Sequence, residues 1–573
     1  MTRLFSLNHP TAYTARLAVF AFLAFSAIAS AEEAPVPGGK APATSSVPRK
    51  MFFSGLAPAK PMFDACVYHY GVGTTNPRCQ AFVDQGLGMY YSYVYIEAAR
   101  CFETATELDP DCAYAWLMLS RSLERFGRGA AAPNVTPHQA ALGGLAIPAL
   151  PDRLTRAPID YALDMANKLM PKASDREQLL IKARLQEKGI WPGTPPDQRN
   201  KRAAASLDEL LTLYDDDQEG WFWRSQVAEG MNGKVPFFKA LLRVNPLHPG
   251  ANHELVHFYE AIKRPALGWP FAEGYIKSSP GIPHAFHMQA HLATRIGKWG
   301  PTSDWSWKAV EMQKQYHAYQ GVAPYEDYQF NHHMATLTLS LVHDGRFAET
   351  KAIMREAEDK YKYSFKSEWF RMYLGEGNWA EAQKIAEFFR KGNKANGAYH
   401  AAMLYLEKGD TDRVGPEIDV LRQAQQSRRR DRDGERRMWE VQGRYLCQTG
   451  HGDAGLKLLK KCVDTTKNDY GHHAWGNGAV LMESWGAGAM ECGNAAEAEE
   501  ALQEALAHDA GSVRGALGLW AVCERLGRTE EAERYLKLAH RCWAKAEPKD
   551  FERLKASFAA KAARIGSQTA NNK

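Results

Sequence analysis

The chain has 573 residues, with 71 Lys and Arg against 66 Asp and Glu and a formal net charge of +5. The mild excess is spread widely, and its one dense run, Arg428 to Arg437, is broken by Asp431, Asp433 and Glu435, so a nucleic-acid surface is not expected. The length exceeds what one core organises, which leaves several domains or a repeat array.

From the N-terminus, Arg3 and Arg16 precede an apolar run from Leu17 to Ile28 that ends in Ala29-Ser30-Ala31. A basic start, an apolar stretch too short to span a bilayer and a small-residue end predict a Sec-type signal peptide over 1–31, with cleavage after Ala31. The expected location is periplasmic or secreted; an N-terminal anchor is the alternative. Residues 32–50, rich in Pro, Ala, Gly and Ser, are expected to be a disordered tether. No later segment approaches about 18 continuous apolar residues, so no stable membrane insertion is expected. Nine cysteines in an oxidising compartment permit disulfides, and one or two bridges are expected. Cys66 and Cys79 flank a Gly-rich loop, Cys101 and Cys112 a helix turn, and Cys523 and Cys542 lie on adjacent helices, but sequence does not assign the pairing.

Residues 51–77, with Asp64, Cys66 and His69, read as an N-terminal cap segment that could also fold back to bring His69 to a site. The helical period then becomes plain. Ala98, Cys101, Phe102, Ala105 and Leu108 share one stripe, and Asp109-Pro110 stops the helix because the residue before proline avoids the α region. A helix of small and aromatic residues, a second carrying Ala-x-x-x-Phe and an Asp-Pro end form the tetratricopeptide pattern. Gly345-Arg-Phe-Ala, Gly377-Asn-Trp-Ala, Gly493-Asn-Ala-Ala and Gly527-Arg-Thr-Glu repeat a glycine turn entering the second helix. Spacings near the repeat period of about 34 residues predict roughly ten to twelve helix pairs. The expected fold is all-α, a right-handed α-solenoid of tetratricopeptide-like helix pairs. Its array over 78–345 carries the histidines discussed below, a second array covers 346–565, and 566–573 is a disordered tail. Long loops interrupt it at 127–151 and at Gly193-Thr-Pro-Pro.

Histidines cluster unevenly. One helix reads His248-Pro-Gly-Ala-Asn-His253-Glu254-Leu-Val-His257-Phe-Tyr-Glu260, the next inner helix Pro283-His284-Ala-Phe-His287-Met288-Gln-Ala-His291, and a third carries His332-His333-Met334 and His343. At about 100° per residue, His253, His257 and Glu260 share one face, as do His284, His287 and His291. Successive inner helices of a solenoid stand side by side on its concave surface, so the two stripes can face a common space. Imidazole is the commonest protein ligand for zinc and copper, and i, i+4 spacing aims two rings at one ion. His253-Glu254-x-x-His257 also matches the zincin signature, with Glu273 as an imperfect third ligand. Met288 and Met334 beside histidines lean towards copper, although methionine on an inner face is more often packing. The competing account is that the histidines are structural, hydrogen-bonded inside the helix layers. His472, His473 and Trp475 form a minor second cluster on the surface or in packing.

Two of these helices, with the opening repeat, resemble a group of exported bacterial tetratricopeptide-repeat proteins. Its hallmarks are a His-Pro-Gly-Ala-x-His-x-x-x-His helix and a His-x-x-His-Met-x-x-His helix followed by Gly-x-Trp. Here the matching positions are His248, His253, His257, His284, His287, His291 and Gly297-Lys-Trp299, and the resemblance covers about residues 60–345. Glu254 departs from it, where an aromatic residue is expected, which makes the zincin match incidental. The resemblance implies fold and site and names no reaction.

The expectation is therefore an exported solenoid with a His-rich metal site on its concave face. Its centre is His253, His257, His284, His287 and His291, with Glu260, His332 and His333 as further candidate ligands. Copper or zinc is the expected ion, with iron third. Whether the protein is an enzyme stays open; if it is, a metal-dependent hydrolase or oxidase with Glu254 as acid/base is expected. The alternative is an interaction scaffold that binds a peptide or partner protein in the groove, its histidines structural.

Overall fold

The computed structural model describes residues 50–131, 156–427, 431–467 and 479–566. The chain divides between Pro48 and Arg49, and all that follows concerns the second unit. The signal peptide, nearly all of the tether, most of the 127–151 loop, Arg428–Arg430, the His472–Trp475 cluster and residues 567–573 lie outside the described residues. Among the described residues there are 25 α-helices and no strand, an all-α solenoid of helix pairs.

The opening repeat shows how the sequence builds it. Pro77–Tyr91 starts at Asn76, whose side chain accepts from the backbone N–H groups of Arg78 and Cys79, with Pro77 in the first turn where its missing N–H costs nothing. Tyr95–Leu108 follows, and its stripe of Ala98, Cys101, Phe102 and Ala105 is fully buried while Leu108 is half-buried. The two helices approach closely because Gly86 faces Phe102; a Cβ at Gly86 would stand 2.8 Å from the Phe102 ring. Burying one such Phe is worth about 1.5–3 kcal/mol. The turn glycines Gly345, Gly377, Gly493 and Gly527 all sit in the left-handed region, at φ of 71°, 66°, 80° and 70°. There they end one helix and let the chain turn into the next.

The Tyr95–Leu108 helix is buried on its polar side too, because the segment before the first helix runs along it. The Glu103 carboxylate accepts from the backbone N–H of Phe53 at 2.6 Å and of Ser54 at 2.8 Å, and Arg100 donates to the carbonyls of Ala57 at 2.9 Å and Pro58 at 3.0 Å. The same segment reaches further along the chain, with Val67 N–H on the Ser278 carbonyl at 2.8 Å and Gly281 N–H on that of Ala65 at 3.0 Å. From the other end, Trp299 Nε1 donates to the Asp509 carboxylate at 3.0 Å and Trp543 Nε1 to the His343 carbonyl at 2.8 Å. Residues 249–343 are thus gripped by both ends of the described chain.

The apolar core is uneven. One large cluster runs from Ala59 to Ile282 and another from Val310 to Ile565. Between them lies only a small group: Val256, Ala272, Tyr275, Ala285, Met288 and Leu292. The histidine-bearing helices occupy that gap. The cysteine expectation is corrected: none of the nine is in a disulfide, and none of the three flanking sets is bridged. The thiols that meet are Cys79 with Cys112, and Cys447 with Cys492. The pairing follows contacts between helix units, which spacing along the chain does not reveal.

Candidate metal centre

Three helices build the site: Pro249–Ala261, Pro283–Arg295 and Tyr328–His343. The first begins at His248, whose Nδ1 accepts from the Ala251 N–H at 3.1 Å, so this ring is an N-cap. Burial pushes its pKa down to about 3, and it packs on Tyr68, Tyr91 and Phe222. Gly250 is the residue that lets this helix settle, since a Cβ there would meet Tyr91 at 2.6 Å and Phe222 at 2.7 Å.

One turn on, His253 Nδ1 sits 2.6 Å from the Tyr91 carbonyl. That carbonyl can only accept, so Nδ1 carries the proton and Nε2 is bare. Its Nε2 lies 3.1 Å from Nε2 of His284, 31 residues away in sequence. His257, four residues after His253, completes the group; the ligand nitrogens of His253, His257 and His284 all lie within 4.8 Å of one another. Nε2 of His257 and Nδ1 of His284 are buried without a hydrogen-bond partner.

A second group forms beside the first. His287 Nε2 is 2.8 Å from His291 Nε2, which is 3.2 Å from His332 Nε2, and these three also fall within 4.8 Å of one another. Two nitrogens bound to one tetrahedral zinc-like ion at about 2.0–2.1 Å stand about 3.3 Å apart, close to what is seen. His333 lies between the groups, its ring 4.0 Å from that of His287 and 5.8 Å from that of His284. Its Nδ1 is held by Gln313 Oε1 at 2.6 Å, and Gln313 in turn donates to Asp327. This chain leaves His333 Nε2 as a bare, buried nitrogen.

Electrostatics favour the neutral form of His253, His284, His287, His291 and His333. Burial first, then the neighbouring imidazoles, hold His253, His284, His287 and His333 well below the ordinary histidine pKa, and burial lowers His291 as well. Neutral imidazole is the ligating form.

Glu260 takes a different place from the one its helical stripe suggested. It faces the Nδ1 side of the rings, 3.3 Å from His291 Nδ1 and 3.8 Å from His257 Nδ1, and accepts from Arg295 at 2.6 and 3.0 Å. Burial works against its charge, but His291, His257 and Arg295 hold its pKa well below the usual carboxylate value. Glu254 lies at the rim, accepting from the Tyr93 hydroxyl at 2.7 Å. Tyr93, in the left-handed region at φ 60°, lies parallel to His257 with ring centres 5.8 Å apart.

The expected single cluster of five imidazoles thus becomes two groups of three, with His332 completing the second and His333 between them. His343 is elsewhere, stacked on Trp299 at 4.1 Å, and His69 pairs with Asp84 at the surface. Met288 and Met334 are fully buried among apolar side chains, so the thioether argument for copper falls away. Glu273 is bonded to Trp269 on an exposed face, which removes the zincin third ligand. Arg295, Gln313 and Tyr93 were missed. Nothing in their local sequence marks them, since each acts across a helix boundary.

No curated protein sequence matches this chain. A family described as tetratricopeptide repeat matches residues 95–133, which take in the helices Tyr95–Leu108 and Ala113–Ala131, so the chain carries a tetratricopeptide repeat there.

Proposed function

We propose that this chain is an exported tetratricopeptide-repeat solenoid that binds transition-metal ions through the histidines of its three central helices. The observation that carries the reading is the set of Nε2–Nε2 contacts of 2.8–3.2 Å among rings that are buried or half-buried. Without a cation, hydrogen bonds between the rings can satisfy those nitrogens, but Nε2 of His257, a member of the first group, then stays buried without a hydrogen-bond partner. The ligand set is His253, His257, His284, His287, His291 and His332, with Glu260 orienting rings from behind. Copper, zinc and iron all accept such donors. Tyr93 and Glu254, hydrogen-bonded at the rim, are the groups that would move protons in a hydrolase or oxidase built here.

The test is metal analysis of the mature protein, purified without a His tag, beside a His253→Ala/His287→Ala variant. Near-stoichiometric metal that disappears in the variant supports the reading. Protein that is metal-free and takes up neither copper nor zinc sinks it.

The second reading, a protein-binding scaffold, is favoured by the tetratricopeptide match, since such repeats suggest protein partners. Among the described residues no helix is long and apolar enough to cross a membrane.

A further inference from the structure

The proposed metal reading leaves open how many ions bind and in which charge state. We infer that the centre holds two ions, one on His253, His257 and His284 and one on His287, His291 and His332, and that the ion each site fits best is cuprous. The inference rests on the metal reading above.

The count comes from geometry. Each triad's nitrogens lie within 4.8 Å of one another, close enough that small ring rotations could bring all three onto one ion, and the two triads draw on different residues. They are nonetheless contiguous, because His333 touches a ring of each, at 4.0 Å from His287 and 5.8 Å from His284. A single ion has no use for six imidazoles split in this way.

The charge state comes from counting charges. All six ligands are neutral when bound to metal. The one carboxylate against them, Glu260, is matched by Arg295 at 2.6 Å, so the layer behind the rings adds no net negative charge. Glu254 at the rim, hydrogen-bonded by the neutral Tyr93 hydroxyl, keeps its formal negative charge. With that charge counted, two divalent ions leave three uncompensated positive charges in a buried space, and two cuprous ions leave one. The desolvation cost of an ion rises with the square of its charge, so a monovalent ion incurs about a quarter of the divalent cost. The repulsion between neighbouring sites falls by the same factor. Three imidazoles with a fourth position open form a low-coordinate nitrogen site that copper accepts.

The experiment uses the mature full chain, untagged and kept anaerobic, titrated with copper(I) against the chromophoric chelator bicinchoninate, and separately with zinc(II). His257→Gln and His332→Gln probe one triad each at its more exposed ring, and circular dichroism checks that both variants fold. The expected result is two chelator-resistant copper ions in the parent chain, one in each single variant and none in the double variant, with zinc failing to displace copper. One ion in the parent, lost in both single variants, overturns the two-site inference and leaves the metal reading standing. Zinc displacing copper at equal concentration overturns the cuprous assignment. Uptake of neither metal removes the metal reading itself.

Discussion

Glu260 offers the sharpest test of how the two triads are held. Its carboxylate touches Nδ1 of His291 at 3.3 Å, stands 3.8 Å from Nδ1 of His257, and accepts from Arg295 Nη2 at 2.6 Å and Nε at 3.0 Å. One group therefore orients a ring in each triad. Glu260→Gln keeps volume and one acceptor oxygen but removes the charge. Two separable effects follow. Stability falls, because buried Arg295 loses the charge of Glu260; breaking such a pair costs about 3–5 kcal/mol, and the retained amide oxygen places this case at the lower end. Metal affinity falls about 10–100-fold at both triads, the usual loss when a carboxylate behind a ligating histidine is removed, equivalent to about 1.4–2.7 kcal/mol per site. Denaturant unfolding of the apoprotein reads the first effect, and chelator competition reads the second. The double variant Glu260→Gln/Arg295→Met separates them, since removing both charges recovers much of the stability without restoring ring orientation. If affinity at both triads stays within about twofold while stability drops, the carboxylate is only the counter-ion of Arg295 and the reasoning fails. A loss far beyond 100-fold at one triad makes Glu260 a direct ligand there.

His248 is expected to be structural despite its place in the histidine run. His248→Ala should lose about 1 kcal/mol for the cap plus a cavity term, with metal content unchanged, and His248→Asn should recover the cap part. Its folded pKa of about 3 lies below the unfolded 6.5. Its contribution is therefore complete above pH 6.5 and lost as pH falls towards 3, of order 5 kcal/mol across that window. Unfolding midpoints between pH 7 and 4 should fall less steeply in His248→Asn; equal slopes would remove the titration from the account. Oxidation should close Cys79 with Cys112 and Cys447 with Cys492, the thiols in contact. Thiol counting and peptide mapping check this, and a bridge between Cys101 and Cys112 or Cys523 and Cys542 would contradict it.

The helical repeat was legible in the sequence because its determinants are local. Asp109-Pro110 stops a helix through sterics within two residues. Gly345, Gly377, Gly493 and Gly527 adopt the left-handed turn that their spacing announced. The same is true of the histidine stripes: His253 and His257, or His287 and His291, share a face by helical period alone.

What the period cannot determine is which nitrogen meets which across helices. That depends on the stagger and rotation of neighbouring helices, and those are settled by close approaches between distant residues. Gly250 lies against Tyr91 and Phe222, and Gly281 against the Ala65 backbone, where a Cβ would come within 2.5 Å. These contacts turn His248 into a cap, join His253 to His284, and place His332, 41 residues on, with His291. They also set Glu260 against Arg295 rather than among the Nε2 atoms. The sequence by itself determined a helical repeat and a supply of imidazoles on inner faces. Only the tertiary structure divided them into two triads, because a ligand set is a property of distances between chain segments.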